Sequence, residues 1–182
     1  MKKIYAIGFI FISLIIIISG FFIFKSLDNR SSKSREIFHI DNLDVLSQYN
    51  GYVLARESEY SELEIYSIYK NVEYNNYQKQ FTFKDGIVIE SRMVYWTSNK
   101  IYVLGYNPAS YSLSDGHVID KGSLKSMVNN STGLIDGIIG MYDDFIYYTY
   151  TYQGKSFYGK VTLDLKEYII IEKADIPNEL HY

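Results

Sequence analysis

The chain is 182 residues long, with 47% hydrophobic, 17% aromatic and 21% charged residues and a formal net charge of −3. This length and apolar content suit one folded domain and exclude disorder as the main state. The absence of cysteine excludes disulfides, thiolate chemistry, iron–sulfur clusters and cysteine-based zinc sites. A slightly acidic chain gives no electrostatic reason to expect a nucleic-acid partner.

The N-terminal segment is strongly apolar. Residues 4–24 carry no charge, and a helix of that length would extend about 31 Å, which matches a hydrocarbon core of about 30 Å. We therefore predict a signal anchor over residues 1–25, a single transmembrane helix in contact with membrane lipid. The alternatives are a cleaved secretory signal and a buried helix, but the run exceeds the usual signal length and no A-x-A cleavage pattern follows it.

A basic, Ser-rich stalk is predicted over residues 26–40. Residues 25–35 contain four basic residues and one acidic residue, whereas residues 36–182 contain 12 Lys and Arg against 20 Asp and Glu, a net charge of −8. The stalk suits either contact with anionic lipid headgroups or the role of a solvated linker.

The charged residues on either side of the apolar segment bear on the orientation of the anchor. Counting positive charges slightly favours a cytoplasmic C-terminal side. A short Lys2-Lys3 region before a first apolar segment is nevertheless typical of export, and folded domains translocate largely regardless of charge. We expect a single-pass protein of the cell membrane, with residues 41–182 as an extracytoplasmic β-domain.

After residue 40 the sequence alternates apolar and polar residues and is rich in Tyr, Ile, Val and Phe. Turn dipeptides interrupt this alternation at residues 50–51, 85–86, 115–116 and 153–154. Period-two patterning with such turns is typical of antiparallel hairpins, so we predict an all-β domain.

The strands recur as three similar units. Segments 51–55, 101–105 and 145–149 align on a shared Tyr-containing pattern, and each is preceded by one strand and followed by two. The predicted strands are 43–47, 51–55, 63–69 and 80–84; then 92–97, 101–105, 110–114 and 117–120; then 134–141, 145–149, 157–165 and 168–172. The expected fold is three four-stranded antiparallel meanders.

The last unit, DDFIYYTYTYQGKSFYGKVTLDLKEY, resembles the divergent β-propeller blades of bacterial cell-surface proteins, and the resemblance extends over residues 43–173. It implies sheets that bury their faces against one another. Because closed propellers usually have four to eight blades, three units predict an incomplete, propeller-like assembly, with a β-sandwich or small barrel as alternatives. Exposed strand edges then predict self-association or a protein partner.

The candidate binding face is a row of tyrosines in the third unit. Alternation over residues 145–152 puts Tyr148, Tyr150 and Tyr152 on one face and Tyr147 on the other. Such rows stack on sugars or peptide side chains, or simply pack within a sheet.

Catalytic and metal-binding patterns are weak. The local candidates for a pair of hydrolytic carboxylates are Glu57 and Glu59, Glu62 and Glu64, and Asp143 and Asp144. Glu62 and Glu64 have a workable spacing, but charged residues also alternate on any solvated strand. His39, His117 and His181 lack metal-site spacing, so we expect no catalytic residue, metal or cofactor.

The function we expect is a membrane-anchored binding or accessory module that recognises an envelope protein, peptide or glycan. The alternatives are an envelope hydrolase that uses dispersed carboxylates, and a shortened propeller fragment without activity of its own.

Overall fold

The computed structural model describes residues 36–57, 64–83, 87–128 and 133–180. The chain divides into two units, Met1–Glu36 and Ile37–Tyr182, and all the described strands lie in the second. Within the described residues, no helix has the length and apolar character needed to span a membrane. The predicted anchor, residues 1–25, lies outside them.

The described residues form three antiparallel sheets. The first sheet consists of β1 (Ile37–His39), β2 (Asp44–Tyr49), β3 (Tyr52–Glu57), β4 (Ile65–Glu73) and β5 (Asn76–Thr82), in the order β1-β5-β4-β3-β2. The second consists of β6 (Val94–Trp96), β7 (Lys100–Val103), β8 (Ala109–Ser112) and β9 (Val118–Lys121), in sequential order. The third consists of β10 (Leu134–Tyr142), β11 (Phe145–Tyr152), β12 (Lys155–Thr162) and β13 (Tyr168–Ile171), also in sequential order.

Short helical turns complete the described fold. The α-helix α1 (Leu124–Met127) joins the second and third sheets, and 3₁₀ turns occupy Ile40–Asn42, Ser91–Met93, Lys173–Asp175 and Asn178–Leu180. The prediction of an all-β fold with three antiparallel sheets is confirmed at this level.

Two details of the first sheet differ from the predicted strands. The sheet begins at Ile37, inside the predicted stalk, because β1 pairs with β5 and makes a fifth strand. The last strand starts at Asn76 rather than residue 80, because the hairpin turn falls at Asn75, which adopts a positive φ of 56°.

Positive backbone φ angles mark the hairpin turns. Asn50 and Gly51 have φ values of 47° and 78°, and Gln153 and Gly154 have 49° and 72°. Two successive positive φ angles are the requirement of the tight hairpin turn whose twist matches that of its strands. The turn dipeptides identified in the sequence therefore set the register of these hairpins.

The second sheet lies between the other two and is buried on both faces. Ile101 and Val103 belong to a core that contains residues of the first sheet, such as Leu54 and Ile68. Their neighbours Tyr102 and Leu104 belong to a second core, with third-sheet residues such as Ile146. Because strand side chains alternate between faces, a continuous buried run such as Ile101–Leu104 is the pattern of a central sheet.

Edge strands of adjacent sheets contact each other. The Trp96 indole on β6 donates a hydrogen bond to the Ser47 hydroxyl on β2 at 2.8 Å, and its ring stacks on Tyr49. Strand β10 contacts β6 in turn. The strands β2, β6 and β10, each at one edge of its sheet, therefore lie next to one another in this order.

Terminal segments cover the outer faces of the stack. On the first sheet, Val53 and Tyr69 form a small core against Phe38 and Leu43 from the beginning of the domain. On the third sheet, a side chain at Gly140 would collide with Leu180, so this glycine lets the C-terminal 3₁₀ turn lie close to β10.

Candidate functional site

A groove of about 620 Å³ opens between the first and second sheets. This volume lies within the range of about 300–1,000 Å³ typical of ligand sites. Four parts of the chain border it: the end of β5 with the residues that follow, the loop between β7 and β8, the strands β8 and β9 with their turn, and the loop and helix at α1. Its described lining residues are Thr82, Phe83, Ile87, Tyr106, Asn107, Pro108, Ala109, Tyr111, Gly116, Val118, Lys121, Gly122, Ser123, Leu124 and Lys125.

Strand alternation supplies the apolar wall of the groove. Ala109 and Tyr111 point towards the first sheet, where they join its core, whereas Ser110 between them points away. Tyr111 pairs across the strands with Val118 of β9 and packs edge-on against Phe83 at 4.8 Å between ring centroids. Burial raises the pKa of Tyr111, so its hydroxyl stays protonated.

The β8–β9 turn is fixed against the first sheet. Gly116 adopts a φ of 74°, and a side chain there would meet the Phe81 ring. Because glycine tolerates both this backbone conformation and this close approach, the turn packs directly on β5. Asp115 accepts a hydrogen bond from the His117 backbone amide at 3.2 Å and also contacts the His117 ring at 2.6 Å.

Tyrosines of the third sheet hold the loop and helix on the other side of the groove. The Tyr168 hydroxyl accepts a hydrogen bond from the Ser123 amide at 2.9 Å and donates one to the Leu165 carbonyl. The Tyr148 hydroxyl donates to the Met127 carbonyl at the end of α1, at 2.7 Å. The helix end thereby gains a partner for a carbonyl that its own turn leaves unsatisfied.

Positive charge dominates the polar part of the groove. Lys121 and Lys125 are both exposed, and neither forms an ion pair with a described residue. No carboxylate occurs among the described lining residues. The nearest acid in sequence, Asp120, faces the other side of the sheet, where it accepts hydrogen bonds from Lys100 at 3.1 Å and Ser110 at 2.6 Å.

The tyrosines predicted as a binding face lie mainly in the interior. Tyr148 is fully buried, and Tyr150 and Tyr147 are 3% and 4% exposed. Tyr152 is partly buried against the core shared by the second and third sheets. The packing interpretation therefore applies to Tyr147, Tyr148 and Tyr150, because the second sheet covers one face of β11 and little of Tyr147 reaches solvent on the other.

The predicted carboxylates form ion pairs or lie in turns. Glu64 pairs with Arg56 at 3.1 Å and accepts a hydrogen bond from Tyr66, while its proposed partner Glu62 lies outside the described residues. Asp143 and Asp144 occupy a hairpin turn with positive φ angles of 47° and 63°.

The predicted histidines do not converge. His117 contacts Asp115, and His39 lies 3.3 Å from Asp41, measured from its Nδ1 atom to the carboxylate oxygen. His181 lies outside the described residues. Across the part of the chain that the structure describes, no three potential metal ligands cluster.

Comparison with known proteins found no match. Neither protein-family models, nor curated proteins, nor solved structures gave a similar protein.

No local sequence pattern predicted the groove. Its lining comes from segments around residues 82–87, 106–111 and 116–125, which only the stacking of the sheets brings together. One local signal was present: residues 121–125, KGSLK, contain two lysines and no acid inside a domain of net charge −8.

Proposed function

We propose that this chain is a membrane-anchored, extracytoplasmic binding module whose ligand site is the groove between the first two sheets. The observation that carries the proposal is a cleft of about 620 Å³ that combines an apolar wall with two lysines lacking a described ion-pair partner. Concave sites of this size, with few polar groups beside an apolar wall, are typical ligand sites.

The proposal includes an incomplete, propeller-like arrangement of the three sheets. Support comes from their face-to-face stacking and from the contacts between edge strands, β2 with β6 and β6 with β10. Neighbouring blades of a propeller pack in this way around an axis, and their outer strands diverge. The groove lies where the outer parts of the first two sheets separate.

The fixed surroundings of the groove support a binding role. The turn at Gly116 packs on the first sheet. On the opposite wall, the Tyr148 hydroxyl donates to the Met127 carbonyl and the Tyr168 hydroxyl accepts from the Ser123 amide. A preorganised site loses little side-chain and loop entropy when a ligand binds, which favours affinity.

Photo-crosslinking in native membranes tests the groove. Tyr106, an exposed residue on its rim, is replaced by p-benzoylphenylalanine in the full chain, and the matched control carries the same probe at exposed Tyr142 on β10. We expect a reproducible adduct from the first probe only. Leu124→Trp, which fills the groove, should abolish that adduct. Equal adducts from both probes, or none from Tyr106, would refute the groove as the binding site.

Membrane extraction tests the anchor. The full chain should stay in the membrane pellet at alkaline pH, and deletion of residues 4–24 should release it, because those residues supply the apolar length of a membrane span. Protease added to intact cells should digest the β-domain. Full protection of that domain would reverse the proposed orientation.

A further inference from the structure

Strand β9 is the outermost strand of the second sheet. It pairs with β8 on one side and with no described strand on the other. Its Val118 and Ile119 side chains are 37% and 38% exposed. An edge strand of this kind presents unpaired backbone N–H and C=O groups, which serve as a template for an added strand.

The groove lies directly beside this edge. Val118 and Lys121 belong both to β9 and to the groove lining, because a shift in the β8–β9 register between them sets Val118 opposite Tyr111 and Lys121 opposite Ala109. In a strand added alongside β9, alternate side chains would point to opposite faces of the sheet. Every second side chain would therefore enter the groove, against the apolar wall formed by Ala109 and Tyr111.

Charge at the groove selects for an acidic occupant. Lys121 ends β9 and Lys125 lies in α1, and both lysines line the groove beside this strand edge. Residues 36–182 carry a net charge of −8, so most of the domain repels acidic partners. Charge complementarity of this type fixes the register of a partner and suppresses incorrect ones.

We propose that the groove binds an extended acidic peptide segment, which pairs with β9 and directs carboxylates to Lys121 and Lys125. The inference rests on the proposed function and names the class of its ligand. A free anion would use the lysines alone, and an acyl chain would use the apolar wall alone. A peptide strand uses the wall, the lysines and the unpaired strand edge together.

Hydrogen exchange on the full chain in nanodiscs tests this assignment. The probe is the octapeptide Glu-Glu-Val-Val-Val-Val-Glu-Glu, which presents valines between glutamates on both faces of an extended strand. Its controls are the lysine–valine counterpart and a glutamate–valine peptide methylated on its backbone nitrogens. We expect slower exchange of the amides of residues 118–121 with the unmodified acidic peptide only, because lysine reverses the charge and N-methylation removes strand pairing.

Charge reversal gives the second measurement. The double variant K121E/K125E should weaken binding of the acidic peptide by about tenfold or more, since it replaces two attractions by two repulsions. The matched control K155E/K173E changes two exposed lysines outside the groove lining and should leave affinity within about twofold. Trp96 fluorescence checks that both variants are folded. The comparison of the three peptides uses the unsubstituted chain, so it does not depend on the folding of any variant.

The outcomes separate the two proposals. Any one of three results overturns the acidic-strand assignment: equal protection by the lysine peptide, retained binding of the methylated peptide, or an unchanged affinity of K121E/K125E. A Tyr106 photo-adduct with a lipid, or with a partner that leaves β9 exchange unchanged, also overturns it while the groove remains a binding site. Absence of any Tyr106 adduct refutes the groove itself.

Discussion

Removal of one hydroxyl, in Tyr148→Phe, tests whether the third sheet holds the helix beside the groove. The Tyr148 side chain is fully buried, and its hydroxyl donates a 2.7 Å hydrogen bond to the Met127 carbonyl at the end of α1. Phenylalanine keeps the ring and its packing. The substitution therefore isolates the hydrogen bond.

The structure sets the expected magnitude. Because the Tyr148 side chain is fully buried, water does not replace the lost donor, and the Met127 carbonyl loses this partner. Leaving a buried acceptor without a donor lowers the unfolding free energy by about 1–3 kcal/mol. With a urea dependence of about 2 kcal/mol per molar, the unfolding midpoint should fall by about 0.5–1.5 M.

Urea unfolding of the full chain in detergent micelles provides the assay. Trp96 is the single tryptophan and is 9% exposed, so its fluorescence reports unfolding of the core. Tyr147→Phe is the matched control on the same strand. Since no buried side-chain oxygen among the described residues lacks a partner, the Tyr147 hydroxyl reaches solvent, and its removal should change stability by no more than about 0.5 kcal/mol.

Equal urea midpoints for the two variants would refute this reasoning. They would mean that the Met127 carbonyl finds another partner or that α1 contributes little to stability. If the reasoning holds, Tyr148→Phe should also loosen the α1 side of the groove, and exchange of the amides of residues 124–128 should become faster.

Three further predictions concern other contacts. Ser47→Ala should lower the unfolding free energy by about 1–3 kcal/mol because it leaves the Trp96 indole N–H without its acceptor; an unchanged midpoint by circular dichroism would contradict this. Gly159→Ala should cost about 1–3 kcal/mol, since the new Cβ would lie 2.6 Å from the buried tyrosine ring opposite it; a stable variant in thermal unfolding would show that the strands shift easily. Side-chain hydrogen bonding to His117 is the main cause that lowers the pKa of Asp115 to about 2, so His117→Ala should raise that pKa, as measured by carboxylate NMR. The pKa of the Asp115 carboxyl is lower in the folded state than its value of about 3.9 in the unfolded chain, so this carboxylate stabilises the fold fully above that value. This stabilisation is lost as the pH falls towards 2. The unfolding free energy of His117→Ala should therefore decrease less over this pH range.

Local sequence predicted the strands well where turn chemistry was clear. The Asn50-Gly51 and Gln153-Gly154 turns give positive φ angles that only a few residue types adopt readily, so the hairpins around them follow directly from the sequence. The turn at Asn75 has a single positive φ angle and no following glycine, and the predicted start of β5 was four residues late. β1 was missed because three residues contain too few alternations to indicate a strand.

The tyrosine row marks the limit of such prediction. Alternation correctly put Tyr148 and Tyr150 on one face of β11, but tyrosine has an apolar body and a polar tip, and it suits buried and exposed faces equally. Only the position of the second sheet decides that this face is interior.

Apart from β1 and the start of β5, the sequence by itself determined the strands, their order within each meander and the acidic character of the domain, because strand alternation and turn conformation are local properties. The tertiary structure alone decided where the groove lies and which charges face it. Sheet stacking brings Phe83 and Ile87 opposite Tyr111 and puts Lys121 and Lys125 beside an unpaired strand edge. That arrangement depends on how large side chains fill the space between twisted sheets, and no local pattern encodes it.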